Sequence, residues 1–118
     1  PTRGMNRFTG VVQKGEGLGR PLGFPTANIP LEDPEISGIF AATVLVGQKS
    51  YHGAAYADQS RRFLEVYIFD FIGELYGAEI TILLLKKIRE AKKFETDEAL
   101  RLAITSDIAQ IRMFFQGL

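Results

Sequence analysis

Apolar and polar positions alternate with period two, or run as short β-branched and aromatic stretches, in five segments: Arg7 to Gln13, Ile39 to Val46, Ser50 to Tyr56, Phe63 to Phe71 and Glu79 to Ile88. These read as strands. The joins carry turn chemistry: Gly47-Gln48-Lys49 is a tight hairpin, 30–38 is a longer loop with two prolines, and Gly73-Glu74-Leu75-Tyr76-Gly77 is bounded by glycines. Strands joined this closely pair mostly antiparallel. The period changes at Thr96, an N-cap candidate with Asp97 and Glu98 in the first turn, after which Leu100, Ile104, Ile108, Ile111 and Phe115 recur at helical spacing. Thr105-Ser106-Asp107 has the chemistry of a second cap, so a short helix followed by a longer one is expected, with one face on the sheet. Five or six strands with one terminal helical region fit a closed or nearly closed β-barrel, which removes exposed edges, the helix covering one end.

Length and composition narrow the function. A chain of 118 residues, 46% hydrophobic and with nine Phe, builds one core, so one domain is expected over 1–118, with the barrel over 5–95 and terminal helices over 96–116. Fourteen basic and fourteen acidic side chains cancel, which argues against a broad basic face for nucleic acid or a polybasic membrane patch. A small ligand is the better expectation. No cysteine is present, and the single His52 cannot build a zinc centre alone. No apolar run approaches the ~20 residues of a membrane-spanning helix, and the expected location is cytoplasmic.

The chemistry concentrates in Gly15 to Asn28, GEGLGRPLGFPTAN. Gly15, Gly17, Gly19 and Gly23 can adopt positive φ without a Cβ penalty, so successive backbone N–H groups can turn toward one anion, and Arg20 adds a fixed positive charge. Thr26 and Asn28 lie two positions apart, so on an extended segment their oxygens share a face and can reach one hard cation. The combination points to a magnesium nucleotide. It is neither the P-loop nor the dinucleotide fingerprint, and the segment also reads as a glycine-rich hairpin with Pro-Thr-Ala-Asn as a turn into a strand.

These motifs, in order over nearly the whole chain, resemble the riboflavin kinases, which use ATP to make flavin mononucleotide. The similar elements are the Gly15 to Asn28 loop, Gly38-Ile39-Phe40-Ala41, Leu64-Glu65-Val66-Tyr67-Ile68-Phe69-Asp70-Phe71, Leu75-Tyr76-Gly77, Ile88-Arg89-Glu90-Ala91-Lys92-Lys93-Phe94, and Ser106-Asp107-Ile108. The resemblance implies a six-stranded Greek-key β-barrel with a C-terminal helix. It implies that Gly15, Gly17, Gly19, Arg20 and Thr26 hold the ATP phosphates, and that Thr26 and Asn28 bind magnesium. Ile68, Asp70 and Tyr76 would lie near adenine and ribose, and Arg89, Lys92 and Phe94 near the flavin. Glu65 would be the base that accepts the ribityl 5′-hydroxyl proton. Read without the resemblance, Glu65 is a surface glutamate, Tyr76 fills a turn, Ile68 is core, and 86–93 is a solvated basic face.

Three positions depart from the pattern the resemblance sets. The interval from Ala54 to Leu64 lacks the Asn-x-Gly-x-x-Pro-Thr flap, Tyr67 stands where a histidine is usual, and Ala91 replaces an acidic residue. Arg61 and Arg62 are the charges such a shortened loop can supply. The expectation is a monomeric kinase working on riboflavin and ATP, without nucleic acid or membrane partners. With no adenylyltransferase segment before the barrel, its product is expected to be the mononucleotide. The alternatives are a catalytically weak flavin- or nucleotide-binding module of the same fold, and a small interaction barrel without a ligand site.

Overall fold

The computed structural model describes residues 6–14 and 26–118. Six strands form one antiparallel sheet: β1 (Arg7–Val11), β2 (Ala27–Pro30), β3 (Gly38–Val46), β4 (Lys49–Asp58), β5 (Phe63–Ile68) and β6 (Glu79–Arg89). Their spatial order is β1-β6-β3-β4-β5-β2. The two ends of that order meet where the Gln13 backbone N–H donates to the Asn28 carbonyl at 2.8 Å, so the barrel is nearly closed.

The strand missing from the periodicity is β2. Ala-Asn-Ile-Pro is too short to show alternation and ends in proline, so its state is decided by pairing, which sets Asn28 opposite Glu65 and Ile29 opposite Leu64 on β5. The last strand segment but one is shorter than expected. Asp70 has φ 61°, which turns the chain out of extended geometry soon after Ile68. At the start of β3, Gly38 has φ 107°, and a Cβ there would stand 2.7 Å from the Arg89 carbonyl oxygen, so only glycine fits.

Alternation sorts the side chains cleanly. Ile29, Val44, Leu64, Val66, Ile80 and Ile82 point inward and are fully buried, filling the barrel with a packed core. Their sequence neighbours point outward, and part of that outer face is covered by α1 (Asp97–Gln116). Ile111 packs on Ala41 and Phe69, with Ala54, Tyr67 and Ile88 around them. Ala41 and Ala54 are direct cross-strand partners on β3 and β4, and their small side chains leave room for the helix. The helix therefore lies against the outer wall rather than covering one end.

The second cap expected at Thr105 to Asp107 is not formed. Thr96 caps the helix, its hydroxyl accepting from Ala99 N at 3.0 Å, and α1 then runs unbroken for 20 residues. The Asp107 carboxylate is engaged by Arg89 of β6, so it does not compete for backbone N–H groups.

Candidate active site

Because the barrel interior is filled, any site must lie on its outer face or at its rim. Two neighbouring cavities occur there. The first lies between the outer face of β4 and β5 and the first half of α1, and its walls include Tyr56, Glu65, Arg89, Lys92 and Phe94. The second lies beyond the end of β5 and is lined by Gln13, Asn28, Ile68, Asp70 and Tyr76. Thr26 and Tyr67 border both.

The residues at this junction are placed by strand register. Asn28 and Glu65 are direct partners across β2 and β5, so their side chains leave the same face, and Thr26 is the diagonal neighbour of Glu65. The Thr26 hydroxyl donates to Glu65 Oε2 at 3.0 Å. Glu65 is only 4% exposed and so is no surface glutamate. Asn28 is 2% exposed, and among the described residues its Oδ1 accepts no hydrogen bond. A buried carbonyl oxygen without a donor is costly unless something fills that place. With the Thr26 hydroxyl beside it, still able to accept, Asn28 presents hard oxygens suited to a cation such as magnesium.

The walls of the first cavity are held by paired charges. Arg89 donates to Asp107 through Nε and Nη2, both at 2.8 Å, and through Nη1 to the Glu90 carbonyl at 3.1 Å. The guanidinium also stands 5.6 Å from the centre of the Phe94 ring, and Lys92 Nζ lies 5.7 Å from it. Arg89, Lys92 and Phe94 therefore form one cluster facing the cavity that contains Glu65.

The join between β4 and β5 is a tight turn that closes on itself. Asp58 Oδ1 accepts from Ser60 N, Ser60 Oγ and Arg61 N at 3.1, 2.7 and 3.2 Å, and Asp58 Oδ2 accepts from Arg61 Nε at 2.6 Å. Gln59 is tied to the carbonyls of Asp33 and Ile36, and Arg62 Nε donates to the Leu31 carbonyl. Of the two arginines, Arg61 reaches the site, with Nη2 3.8 Å from Glu65 Oε1, whereas Arg62 turns away. Burial alone would push the Asp58 carboxyl up, but the hydrogen bonds from Ser60 and Arg61 and the Arg61 charge outweigh it and hold it below the usual range. Burial, reinforced by Asp58, pushes the neighbouring Tyr56 phenol up, so Tyr56 remains a neutral hydroxyl near neutral pH.

A depressed carboxyl stabilises the fold above its unfolded pKa of about 3.9, and that contribution is lost as pH falls through the lower folded value. Asp58→Asn is therefore expected to lower Tm at pH 7, the gap from the parent chain narrowing as pH drops below about 4. Thermal unfolding across pH 7 to 2.5 measures it; a gap that does not narrow removes the stabilising role of the ionised carboxylate.

Of the candidates raised by the sequence, Glu65, Thr26 and Asn28 meet at the junction, Ile68, Asp70 and Tyr76 line the second cavity, and Arg89, Lys92 and Phe94 line the first. Gly15, Gly17, Gly19 and Arg20 lie outside the described residues. Sequence reasoning did not place Tyr56 or Gln13 in the site, nor give Asp107 a partner there. Asp107 had a readable signal, since it sits in the apolar stripe between Ile104 and Ile111, where an acidic residue needs a buried partner. Among the described residues, no helix is long and apolar enough to cross a membrane.

Residues 4–115 match the family model described as riboflavin kinase, or flavokinase. The bifunctional riboflavin kinase/FMN adenylyltransferase of Escherichia coli K12 is 37% identical over 117 residues, covering 92% of this chain and 37% of that protein. A protein named RNA-binding riboflavin kinase, from Bacillus subtilis, is 32% identical over 95% of this chain and 52% of its own length. The riboflavin kinase of Trypanosoma brucei superposes with a TM-score of 0.69 at 30% identity, over 93% of this chain and 76% of that one. A Streptococcus pneumoniae chain described as a macrolide-efflux protein superposes with a TM-score of 0.77 at 26% identity, over 90% of this chain and 36% of its own. This chain thus spans little more than a third of the bifunctional enzymes it resembles. With the family model covering almost every residue and the barrel shared with a solved riboflavin kinase, the chain belongs to the riboflavin kinase family.

Proposed function

We propose that this chain transfers the γ-phosphoryl group of ATP to the ribityl 5′-hydroxyl of riboflavin, giving flavin mononucleotide and ADP. The observation that carries this is the Thr26–Glu65 hydrogen bond, which ties a buried carboxylate in one cavity to an oxygen-lined second cavity at their shared border. In this reading the flavin lies against Phe94, Arg89 and Lys92, and its ribityl chain runs toward Glu65. The nucleotide occupies the second cavity, with Ile68, Asp70 and Tyr76 around its nucleoside end. A cytoplasmic monomer supplied with ATP fits these substrates.

Glu65 is the proton acceptor. As the 5′-oxygen attacks the γ-phosphorus in line, its proton passes to a carboxylate oxygen of Glu65, while Thr26 fixes the other oxygen. Thr26 and Asn28 would hold magnesium, which when bound supplies charge neutralisation at the phosphates. The Asn28 side-chain carbonyl, which takes no hydrogen bond from the described residues, is the structural feature that favours this assignment. The Gly15, Gly17, Gly19 and Arg20 loop is assigned to the phosphates on its sequence alone.

The test is a riboflavin phosphorylation assay with magnesium ATP, following the mononucleotide by chromatography. Thr26→Ala and Asn28→Ala are each expected to need roughly tenfold or more magnesium for half-maximal rate, in line with lost metal-site contacts. An unaltered magnesium titration in both would remove the metal role. A second reading, a flavin- or nucleotide-binding module with little turnover, is favoured by the β4–β5 turn, which is tied at both ends. Closing segments exclude water from phosphoryl-transfer sites. Riboflavin binding without product would select it.

A further inference from the structure

The β4–β5 turn carries charges that the transfer reading leaves without a task. Asp58 and Glu65 are both 4% exposed, and one guanidinium serves the two. The division between them is unequal. Asp58 holds Arg61 Nε at 2.6 Å and takes three further hydrogen bonds from the turn, so its acceptor sites are filled and it faces Arg61 as a fixed anchor. The other arm of the same guanidinium, Nη2, is left 3.8 Å from Glu65 Oε1. That is beyond hydrogen-bond length, so the influence on Glu65 is a directed charge at short range. The opposite oxygen, Oε2, accepts the Thr26 hydroxyl. Among the described residues, Glu65 is therefore constrained from the chain entering β2 and from the β4–β5 turn.

We propose that Arg61 is a positioning residue for Glu65, and that Asp58 acts through it. The anchored guanidinium fixes the rotation of the Glu65 carboxylate, so that one oxygen faces the incoming hydroxyl when substrate arrives. A free carboxylate would sample several orientations about its last torsion, which is broad and roughly two-fold. Fixing it converts a search into a preset geometry, and misplacement of a reacting group by about 1 Å can cost ~100-fold in rate. The proposal rests on Glu65 being the base of a riboflavin kinase.

The experiment compares the parent chain with Arg61→Ala, Arg61→Lys, Asp58→Asn and Asp58→Asn/Arg61→Ala. Arg61→Ala is expected to lower kcat by roughly 10- to 100-fold, with KM for riboflavin and for ATP each changed less than about threefold. Arg61→Lys, which keeps the charge, is expected to recover at least half of that loss on a logarithmic scale. Asp58→Asn alone is expected to lower kcat by roughly threefold or more, and the double variant to be no slower than Arg61→Ala, because both changes break the same relay. A purely structural turn would instead lower Tm while leaving kcat of the folded enzyme unchanged. An Arg61→Ala kcat within twofold of the parent overturns the proposal, as does full additivity in the double variant. If the parent chain makes no product, the kinase reading fails, and the relay is then read by nitrogen-15 NMR of the Arg61 guanidinium. Glu65→Gln should shift its signals and speed its rotation; unchanged signals would overturn the relay irrespective of turnover.

Discussion

Glu65→Gln is expected to fold, to bind riboflavin with nearly unchanged affinity, and to lose turnover by about 10²- to 10⁴-fold, the range that a positioned general base contributes. The substitution keeps the side chain's shape and its capacity to accept from the Thr26 hydroxyl, so Thr26 need not lose its partner. It removes the charge and the basic oxygen. Stability should change little, because the Arg61 guanidinium that faces Glu65 keeps its bond to Asp58, and a buried neutral amide has less solvation to give up than a carboxylate. The loss should lie toward the lower end of the range, since phosphoryl transfer is driven mainly by positioning and charge neutralisation, which a change at Glu65 leaves in place. Chromatography of flavin mononucleotide gives kcat, and flavin fluorescence gives affinity in the same samples. Turnover within threefold of the parent chain would reject Glu65 as base.

The fold was legible where a residue differs in polarity from both of its neighbours. Around Glu65, Leu64 and Val66 point into the barrel and Phe63 and Tyr67 point out, and that alternation is readable without a partner strand. Ala27–Pro30 was not legible as a strand, because its extended state comes from β5 and four residues carry too little pattern. At Thr105 to Asp107 local chemistry gave the wrong boundary. The preference of Ser and Asp for caps is real, but here Arg89, eighteen residues earlier in the chain, claims the carboxylate. The site divides the same way. Thr26 and Asn28 could be paired from spacing alone, whereas Glu65 had to be raised by resemblance, because on a strand a buried glutamate and an exposed one look alike. Tyr56 could not have been found by either route, since its place depends on β4 lying beside β5.

Arg89→Ala is expected to be the most destabilising change at the site, by about 3 kcal/mol, and Asp107→Ala to cost only about 1–2 kcal/mol. The asymmetry follows from exposure. Removing Arg89 strands a carboxylate whose side chain is 6% exposed and which takes both its strong hydrogen bonds from that one guanidinium. Removing Asp107 leaves a guanidinium that is 27% exposed, still bonded to the Glu90 carbonyl and able to turn toward water. The figure for Arg89→Ala sits at the low end of what an uncompensated buried charge costs for the same reason, as the pair is not wholly enclosed. Replacing both residues, Arg89→Met with Asp107→Leu, should restore most of the stability by exchanging a desolvated ion pair for apolar packing between β6 and α1. It should not restore flavin affinity, because Arg89 also stands over the Phe94 ring in the proposed flavin cavity. Urea unfolding midpoints with unchanged m, set beside riboflavin titrations, separate the two effects. Equal losses from Arg89→Ala and Asp107→Ala would refute the burial argument. Affinity returning together with stability in the double variant would show that Arg89 serves only to fasten the helix to the barrel.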